Sequence, residues 1–394
     1  MLDGVRVVEL GLWVAAPSAA GILADWGADV IKVEPADGDP MRRFFAEAAG
    51  MAIPEVPQFD LDNRGKRSVA LDLRAEEGRA SLQRLLGTAD VFVTNLRVDA
   101  LERLGLEPDA VRAAHPRLVY GLITGYGREG PDAAKPGYDL GAFWARSGMA
   151  AMMLPPDEPP PMLRGAVGDH VTGLSLVAGI AAVLFRRERT GVGDLVETSL
   201  LRAGIYCLSW DHSIQLRFGK LAPAWPREET PSPTVCCYRA GDGRWFWLLG
   251  VESDRLWPKL LVAIERPEWG DDERFASARG RRHHARDLVA QLDAAFAMRG
   301  RDEWATRFDA HDVWWAPVNP PADVVVDPQA VAAGAFVEVP GGGAGPAHRS
   351  VATPVSVAGD DARPRGPVPA VGEHTDVVLA ELDARPDDRE CSIG

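Results

Sequence analysis

Hydrophobic positions along the chain fall into short blocks divided by turn residues. Residues 5–10 form a β-branched run that stops at Gly11, the pattern of a strand buried on both faces. Residues 18–26 are small and apolar, with Pro17 as a helix starter and Gly27 as a stop. Residues 28–34 form a second strand-like run. Strand, helix and strand with short joins predict a βαβ unit and hence a parallel sheet. The alternation continues with a strand at 67–73, a helix at 76–86, a strand at 91–94, short helices at 99–104 and 108–115, and a strand at 118–124. This is α/β organisation, in which ligands bind beyond the carboxyl ends of the strands.

The longest apolar run, residues 174–185, predicts a buried helix. Directly before it stands Arg164-Gly165-Ala166-Val167-Gly168-Asp169-His170. Asp169 thus lies on the turn that enters the helix, where end amides favour a negative charge. Capping is so common a task for such an Asp that spacing alone favours a cap over chemistry. Residues 200–216 read as another helix, and the Pro-rich stretch 221–234 as a linker or mobile loop. From Cys236 the pattern changes to a strand at 245–249, helices at 255–264, 287–298 and 304–311, and a strand at 313–318. Residues 221–319 read as a second, smaller α+β domain. A helix at 322–332, a loop-rich stretch containing Pro340-Gly341-Gly342-Gly343, a last helix at 375–382 and a chain end expected to be disordered complete the chain.

At 394 residues the chain exceeds one ordinary core, which supports the two-domain division. Its net charge of −14 argues against nucleic acid or an anionic membrane as a partner held by bulk charge, though not against a small anionic ligand. Cys207, Cys236, Cys237 and Cys391 show neither metal spacing nor a disulfide framework, which fits a reducing cytoplasm. The N-terminus shows no basic region followed by an apolar one, so no signal peptide is expected. No run reaches the ~20 uninterrupted apolar residues of a membrane span. Gly125-Tyr126-Gly127-Arg128-Glu129-Gly130 matches G-x-G-x-x-G, but a dinucleotide fingerprint must open a helix, and here Pro131 and a loop follow. NAD or FAD is therefore not expected. G-x-S-x-G, Walker A and H-E-x-x-H motifs are absent.

A series of short motifs in fixed order changes the picture. The N-terminal βαβ, Leu23-Ala24-Asp25-Trp26-Gly27-Ala28-Asp29-Val30-Ile31-Lys32-Val33-Glu34, is followed by Asn63-Arg64-Gly65-Lys66-Arg67-Ser68, Asn95-Leu96-Arg97 and Leu101-Glu102-Arg103-Leu104-Gly105. Then come Gly125-Tyr126-Gly127, Gly137-Tyr138-Asp139, Gly168-Asp169, Thr190-Gly191-Val192-Gly193, Ala316-Pro317-Val318-Asn319 and Gly372-Glu373-His374-Thr375. Read end to end, the chain resembles the class III CoA-transferases, a family that includes formyl-CoA transferase, carnitine CoA-transferase and the α-methylacyl-CoA racemases.

The resemblance implies an α/β fold: a large Rossmann-like domain with a parallel sheet built from both chain ends (residues 1–220 and 320–394), a smaller domain at 221–319, and an interlocked homodimer. It implies acyl-CoA and a carboxylic acid as substrates, with no permanently bound cofactor and no metal. Asp169 would be the nucleophile, forming first an acyl-aspartyl anhydride and then an aspartyl-CoA thioester, so that one difficult exchange becomes several easier ones. Asp139 would support it. Trp13, Val14, Asn63, Lys66, Asn95, Leu96, Arg97, Arg103 and Tyr138 correspond to positions that contact CoA or line its groove. Arg67 is divided evenly between that role and an ordinary surface charge. His170 is weighted towards an ordinary helix-start residue, and Glu252 is a possible contact from the smaller domain. His283 and His284, in an Arg-rich stretch, suggest nothing specific.

Three departures refine the resemblance. The family's adenine-side arginine is replaced by Pro35, which leaves adenine packing open. The racemases carry a His immediately before the Asp of the G-x-D motif, where this chain has Tyr138; a phenol is a poor base at neutral pH, which disfavours racemisation. Formyl-CoA transferases carry a Gln where this chain has Val14. An aliphatic residue there, with the bulky Trp13 beside it, points away from formate and oxalate and towards a larger, partly apolar acid. An α-methylacyl-CoA epimerase and a CoA-binding protein without turnover remain as alternatives.

Overall fold

A computed structural model describes residues 1–50, 56–342, 345–359 and 362–384. Gly343, Cys391 and the chain end after residue 384 lie outside the described residues. The polypeptide divides into two compact units, one of residues 1–150, 161–221 and 332–394, the other of residues 151–160 and 222–331.

The larger unit is organised on a six-stranded sheet: β1 (Arg6–Leu10), β2 (Asp29–Glu34), β3 (Arg67–Ala70), β4 (Val91–Thr94), β5 (Val119–Thr124) and β6 (Leu195–Ser199). The order is β3-β2-β1-β4-β5-β6 and every pairing is parallel. Both faces are covered, so the strands read as continuous apolar runs. Val7, Val30, Val93 and Ile123 meet Leu176, Val177 and Ile180 on one face. Val8, Ile31, Phe92 and Tyr120 meet Leu82, Leu85 and Val378 on the other.

The expected sheet from both chain ends is corrected: all six strands come from the first 199 residues. The C-terminal segment returns as the helix Thr375–Asp383, whose Val378 and Leu382 join the core beside β3, and as an antiparallel pair, Phe336–Val339 with His348–Val351. β6 escaped the sequence reading because it is short and only Ser199 is buried in it. The stretch 200–216 is two helices, Leu200–Cys207 and Ser209–Phe218, and 322–332 is likewise two, Pro321–Val324 and Pro328–Ala332. Helices Met41–Ala49 and Pro57–Asn63 were not anticipated; both are short, nine and seven residues.

The apolar run at 174–185 lies within one long helix, Val167–Thr190, which among the described residues is the one helix long and apolar enough to cross a membrane. Here its Leu176, Val177 and Ile180 are packed on the sheet. The smaller unit holds a three-stranded antiparallel sheet, Cys237–Arg239, Trp245–Leu248 and Trp315–Pro317. An aromatic core of Tyr238, Phe246, Phe296, Trp304 and Phe308 fills it.

Candidate active site

In a sheet of this order the connections after β1 and β4 diverge, and the crevice between them is the expected ligand site. A cavity of about 380 Å³ opens there. Leu12 and Trp13 line it after β1, Asn95 to Arg97 after β4, Thr124 and Gly125 after β5, and Leu200 after β6. Tyr138 and Asp169 complete the wall.

Asp169 lies in the first turn of the long helix, but it is not the cap. That position is Ala166, in a left-handed conformation (φ 67°), and no side chain caps the helix. Among the described residues none hydrogen-bonds the Asp169 carboxylate. Burial and then the neighbouring Asp139 disfavour its charged form, and its pKa is pushed up to about 7. The effect of His170 is opposite and weaker. A carboxylate balanced near neutrality, in a cleft and without a partner, has the properties of a reactive group rather than of a cap.

Gly168 serves packing: a Cβ there would stand 2.5 Å from the Phe143 ring. Gly125 and Gly137 meet back to back, with a Cβ on the former 2.8 Å from the latter's Cα. That approach seats the segment carrying Tyr138 and Asp139 against the end of β5. Asp139 then begins a short π-helix, Asp139–Ala145, an irregularity common at functional sites. Its Oδ1 accepts from the Leu140 amide at 2.7 Å, and its Oδ2 is buried with no partner among the described residues.

The other anticipated residues divide into three groups. Trp13, Asn95, Leu96, Arg97 and Tyr138 line the cavity with Asp169. Arg97 is exposed and precedes the helix Val98–Leu104, so its guanidinium is the cation on this wall. Val14, Asn63 and Lys66 are withdrawn from the cavity. Val14 packs with Met41 and Phe59. Lys66 is buried, donating to Glu9 at 2.6 Å, to the Pro17 carbonyl at 2.9 Å and to Asn63 Oδ1 at 3.0 Å. All three ammonium hydrogens are thereby engaged, so Lys66 is corrected from a residue of the CoA groove to a core ion pair, and Asn63 goes with it. Arg103 is exposed, pairs with Asp99 at 3.4 Å and does not line the cavity.

Arg67 binds Asp29 and Glu381 at the amino end of β3, away from the carboxyl ends where the cavity lies. His170 turns from the cavity, its Nε2 3.0 Å from Asp62 Oδ1. Burial draws the imidazole's pKa down, but the Asp62 carboxylate outweighs it and the net shift is upward. Glu252 is exposed in the smaller unit and pairs with Arg255 at 2.9 Å. The Gly125–Gly130 stretch leads into turns and no helix, as Pro131 indicates.

Leu12, Thr124 and Leu200 were missed as cavity residues. Thr124 could have been found, because it ends an anticipated strand on the ligand-binding edge. Leu200 could not, because it follows the unrecognised β6.

Fold and cavity define an α/β enzyme with a poised carboxylate at the switch point of its sheet. The model of CoA-transferase family III matches residues 2–375, and the chain belongs to that family. It is 34% identical to the (R)-2-hydroxy-4-methylpentanoate CoA-transferase of Clostridioides difficile, over 97% of this chain and 95% of the relative. It is 33% identical to the cinnamoyl-CoA:phenyllactate CoA-transferase of Clostridium sporogenes, over 84% and 81%. A CaiB/BaiF family protein from Brucella suis shares its fold with a TM-score of 0.85 at 31% identity, over 97% of this chain and 99% of that one.

Proposed function

We propose that this CoA-transferase moves CoA from an acyl-CoA to a medium-sized, partly apolar carboxylic acid through Asp169. The carboxylate attacks the thioester carbonyl, and collapse of the tetrahedral intermediate expels CoA thiolate and leaves an acyl-aspartyl anhydride. The thiolate attacks the aspartyl carbonyl, releasing the first acid and forming aspartyl-CoA. The incoming acid attacks that thioester, and the returned thiolate then attacks the new acyl group, freeing Asp169 and the product acyl-CoA. One thioester is made for each one broken, so no nucleotide is consumed.

The observation that carries this reading is the state of Asp169: unpartnered, beside Asp139, with a pKa of about 7. An anhydride or thioester at Asp169 carries no charge, so acylation relieves the unfavourable burial and the repulsion from Asp139. Arg97 faces the cavity as a cation for a CoA phosphate. The two CoA-transferase relatives are named for a branched hydroxy acid and for an aryl acid, which supports an acceptor with apolar bulk.

The same reading includes a homodimer. No residue of the helix Ser209–Phe218 is buried; Trp210 and Leu216 are each 87% exposed and Phe218 67%. Large apolar side chains exposed along a helix with no buried residue support an association surface there. A reducing, cytoplasmic setting suits a CoA thiol, and Cys207, Cys236 and Cys237 are free thiols.

The test is steady-state transfer between an acyl-CoA and a panel of acids, with Asp169→Ala beside the parent protein. Transfer that survives the substitution at the parent rate ends the proposal. Exchange of deuterium into the acyl α-carbon without any acceptor acid would favour the epimerase.

A further inference from the structure

Among the described residues four non-glycine residues adopt a left-handed backbone, and one of them, Trp13 (φ 65°), lines the cavity. For a bulky side chain that conformation is costly and persists only where the surroundings impose it. Around Trp13 they do. Asn95 accepts from the Leu12 amide at 2.9 Å and donates to the Leu12 carbonyl at 2.7 Å. Asp39 Oδ1 accepts from the Trp13 amide at 3.2 Å, and Oδ2 from Lys32 Nζ at 3.0 Å. Lys32 Nζ also donates to the Gly11 carbonyl at 3.0 Å and to Glu9 at 2.7 Å. Lys32, Asp39 and Glu9 have no exposure at all. A buried ionic framework, joined by Asn95, thus grips the backbone that leads into one tryptophan, from the Gly11 carbonyl to the Trp13 amide.

The consequence is where the indole stands. It meets Tyr138 edge-on at 6.3 Å and Phe44 edge-on at 5.5 Å. Tyr138 is 63% exposed and Phe44 44%, so these rings have apolar area left to cover. Trp13 and Tyr138 share the cavity with Asp169. Val14 is turned into the apolar cluster with Met41 and Phe59, which leaves Leu12 and the larger Trp13 as side chains this loop presents to the cavity.

We propose that Trp13 is a specificity-determining residue, clamping the acid's side chain against Tyr138 and selecting aromatic or branched apolar acids over small ones, with Asp39 as the positioning residue that holds it. This rests on the reading of Asp169 as the site of transfer. Edge and face of two perpendicular rings suit a flat or branched hydrocarbon, whereas acetate would leave both rings wet. Asp39 does not line the cavity; it holds the Trp13 amide, the Met41 amide and Lys32, so its effect on the acid runs through the backbone it positions.

The experiment measures kcat/KM for 3-phenylpropionate and for acetate as acceptors, together with formation of the Asp169 adduct from the donor acyl-CoA. Trp13→Ala is expected to lower the ratio of the two acids at least about tenfold, with the larger loss falling on the aryl acid. Trp13→Phe should keep most of the preference. Asp39→Asn should lower the ratio in the same direction, through KM for the aryl acid, with adduct formation retained. An unchanged ratio in Trp13→Ala, or an equal loss for both acids, overturns the proposal. Should Trp13→Ala fail to fold, Tyr138→Ala reads the same ratio, and an unchanged value there overturns it equally. Absence of an Asp169 adduct in the parent protein would instead strike at the transfer reading.

Discussion

Glu9 and Asp169 are carboxylates of the same folding unit, and the chain treats them in opposite ways. Glu9 is fully buried and accepts from Lys32 at 2.7 Å and Lys66 at 2.6 Å. Burial would raise its pKa, but the two ammonium groups outweigh that and hold it below the usual carboxylate range. Asp169 is only half-buried, yet burial and then the neighbouring Asp139 outweigh the weaker opposing effect of His170, and its pKa rises to about 7. A buried charge with its partners in place shapes the backbone around it. The same group left unpaired stores a reactivity that a substrate can release. The loop bearing Trp13 lies between them: the Glu9 partner Lys32 holds its Gly11 carbonyl, and Trp13 lines the cavity with Asp169.

The comparison breaks most visibly at the reactive end. Asp169→Ala is expected to lower transfer by at least ~10³-fold, the loss typical of removing a covalent nucleophile, as read from steady-state rates. At the structural end, Lys66→Met leaves Glu9 with one partner and buries uncompensated charge. We expect destabilisation of about 3–5 kcal/mol, measured by urea unfolding, as for a broken buried pair.

The pH dependence of stability sharpens the contrast. Asp169 has a folded pKa of about 7, above its ordinary value, so the folded protein holds a proton that the unfolded chain has released. Its contribution to stability is therefore most favourable below the unfolded pKa and declines as pH rises to about 7. Asp169→Asn should melt with the parent at acidic pH and above it at pH 8. Glu9 has the opposite sign: with its folded pKa depressed, its contribution is present above the unfolded pKa and is lost as pH falls through the folded one. In kinetics, adduct formation in the free enzyme should climb about tenfold per pH unit below 7 and level off above it, because only the carboxylate attacks. A flat profile from pH 5 to 8 would contradict the assignment. The smallest effect concerns the two exposed arginines. Arg97→Ala should raise KM for acyl-CoA several-fold, since one exposed ion pair contributes little, whereas Arg103→Ala should leave it unchanged.

How much of this was legible before the structure differs by level. The strands at 28–34, 91–94 and 118–124 and the helix at 76–86 announced themselves through apolar runs and punctuating glycines, and the observed strands and helix fall there. β6 did not, because its side chains are mostly half-exposed and its pairing with β5 supplies what local pattern lacks. Asp169 could be singled out from its glycines and the helix behind it, but its unpaired state depends on Asp139 and on burial that only the fold supplies. Lys66 shows the converse. A lysine beside a strand reads as a surface cation, yet Glu9, 57 residues earlier, draws it into the core. Sequence distance hid that pair, and it hid Asp39 as the anchor of Trp13 as well.

The central claim is a covalent one, and intact-protein mass spectrometry tests it most directly. The protein would be mixed with a panel of acyl-CoAs, quenched, and divided between direct analysis and hydroxylamine treatment followed by peptide mapping. The account predicts a mass increase from an acyl group or CoA, hydroxylamine-sensitive, mapped to Asp169 and absent from Asp169→Asn. Turnover by the parent protein with no adduct at Asp169, or an adduct that persists in Asp169→Asn, would contradict it.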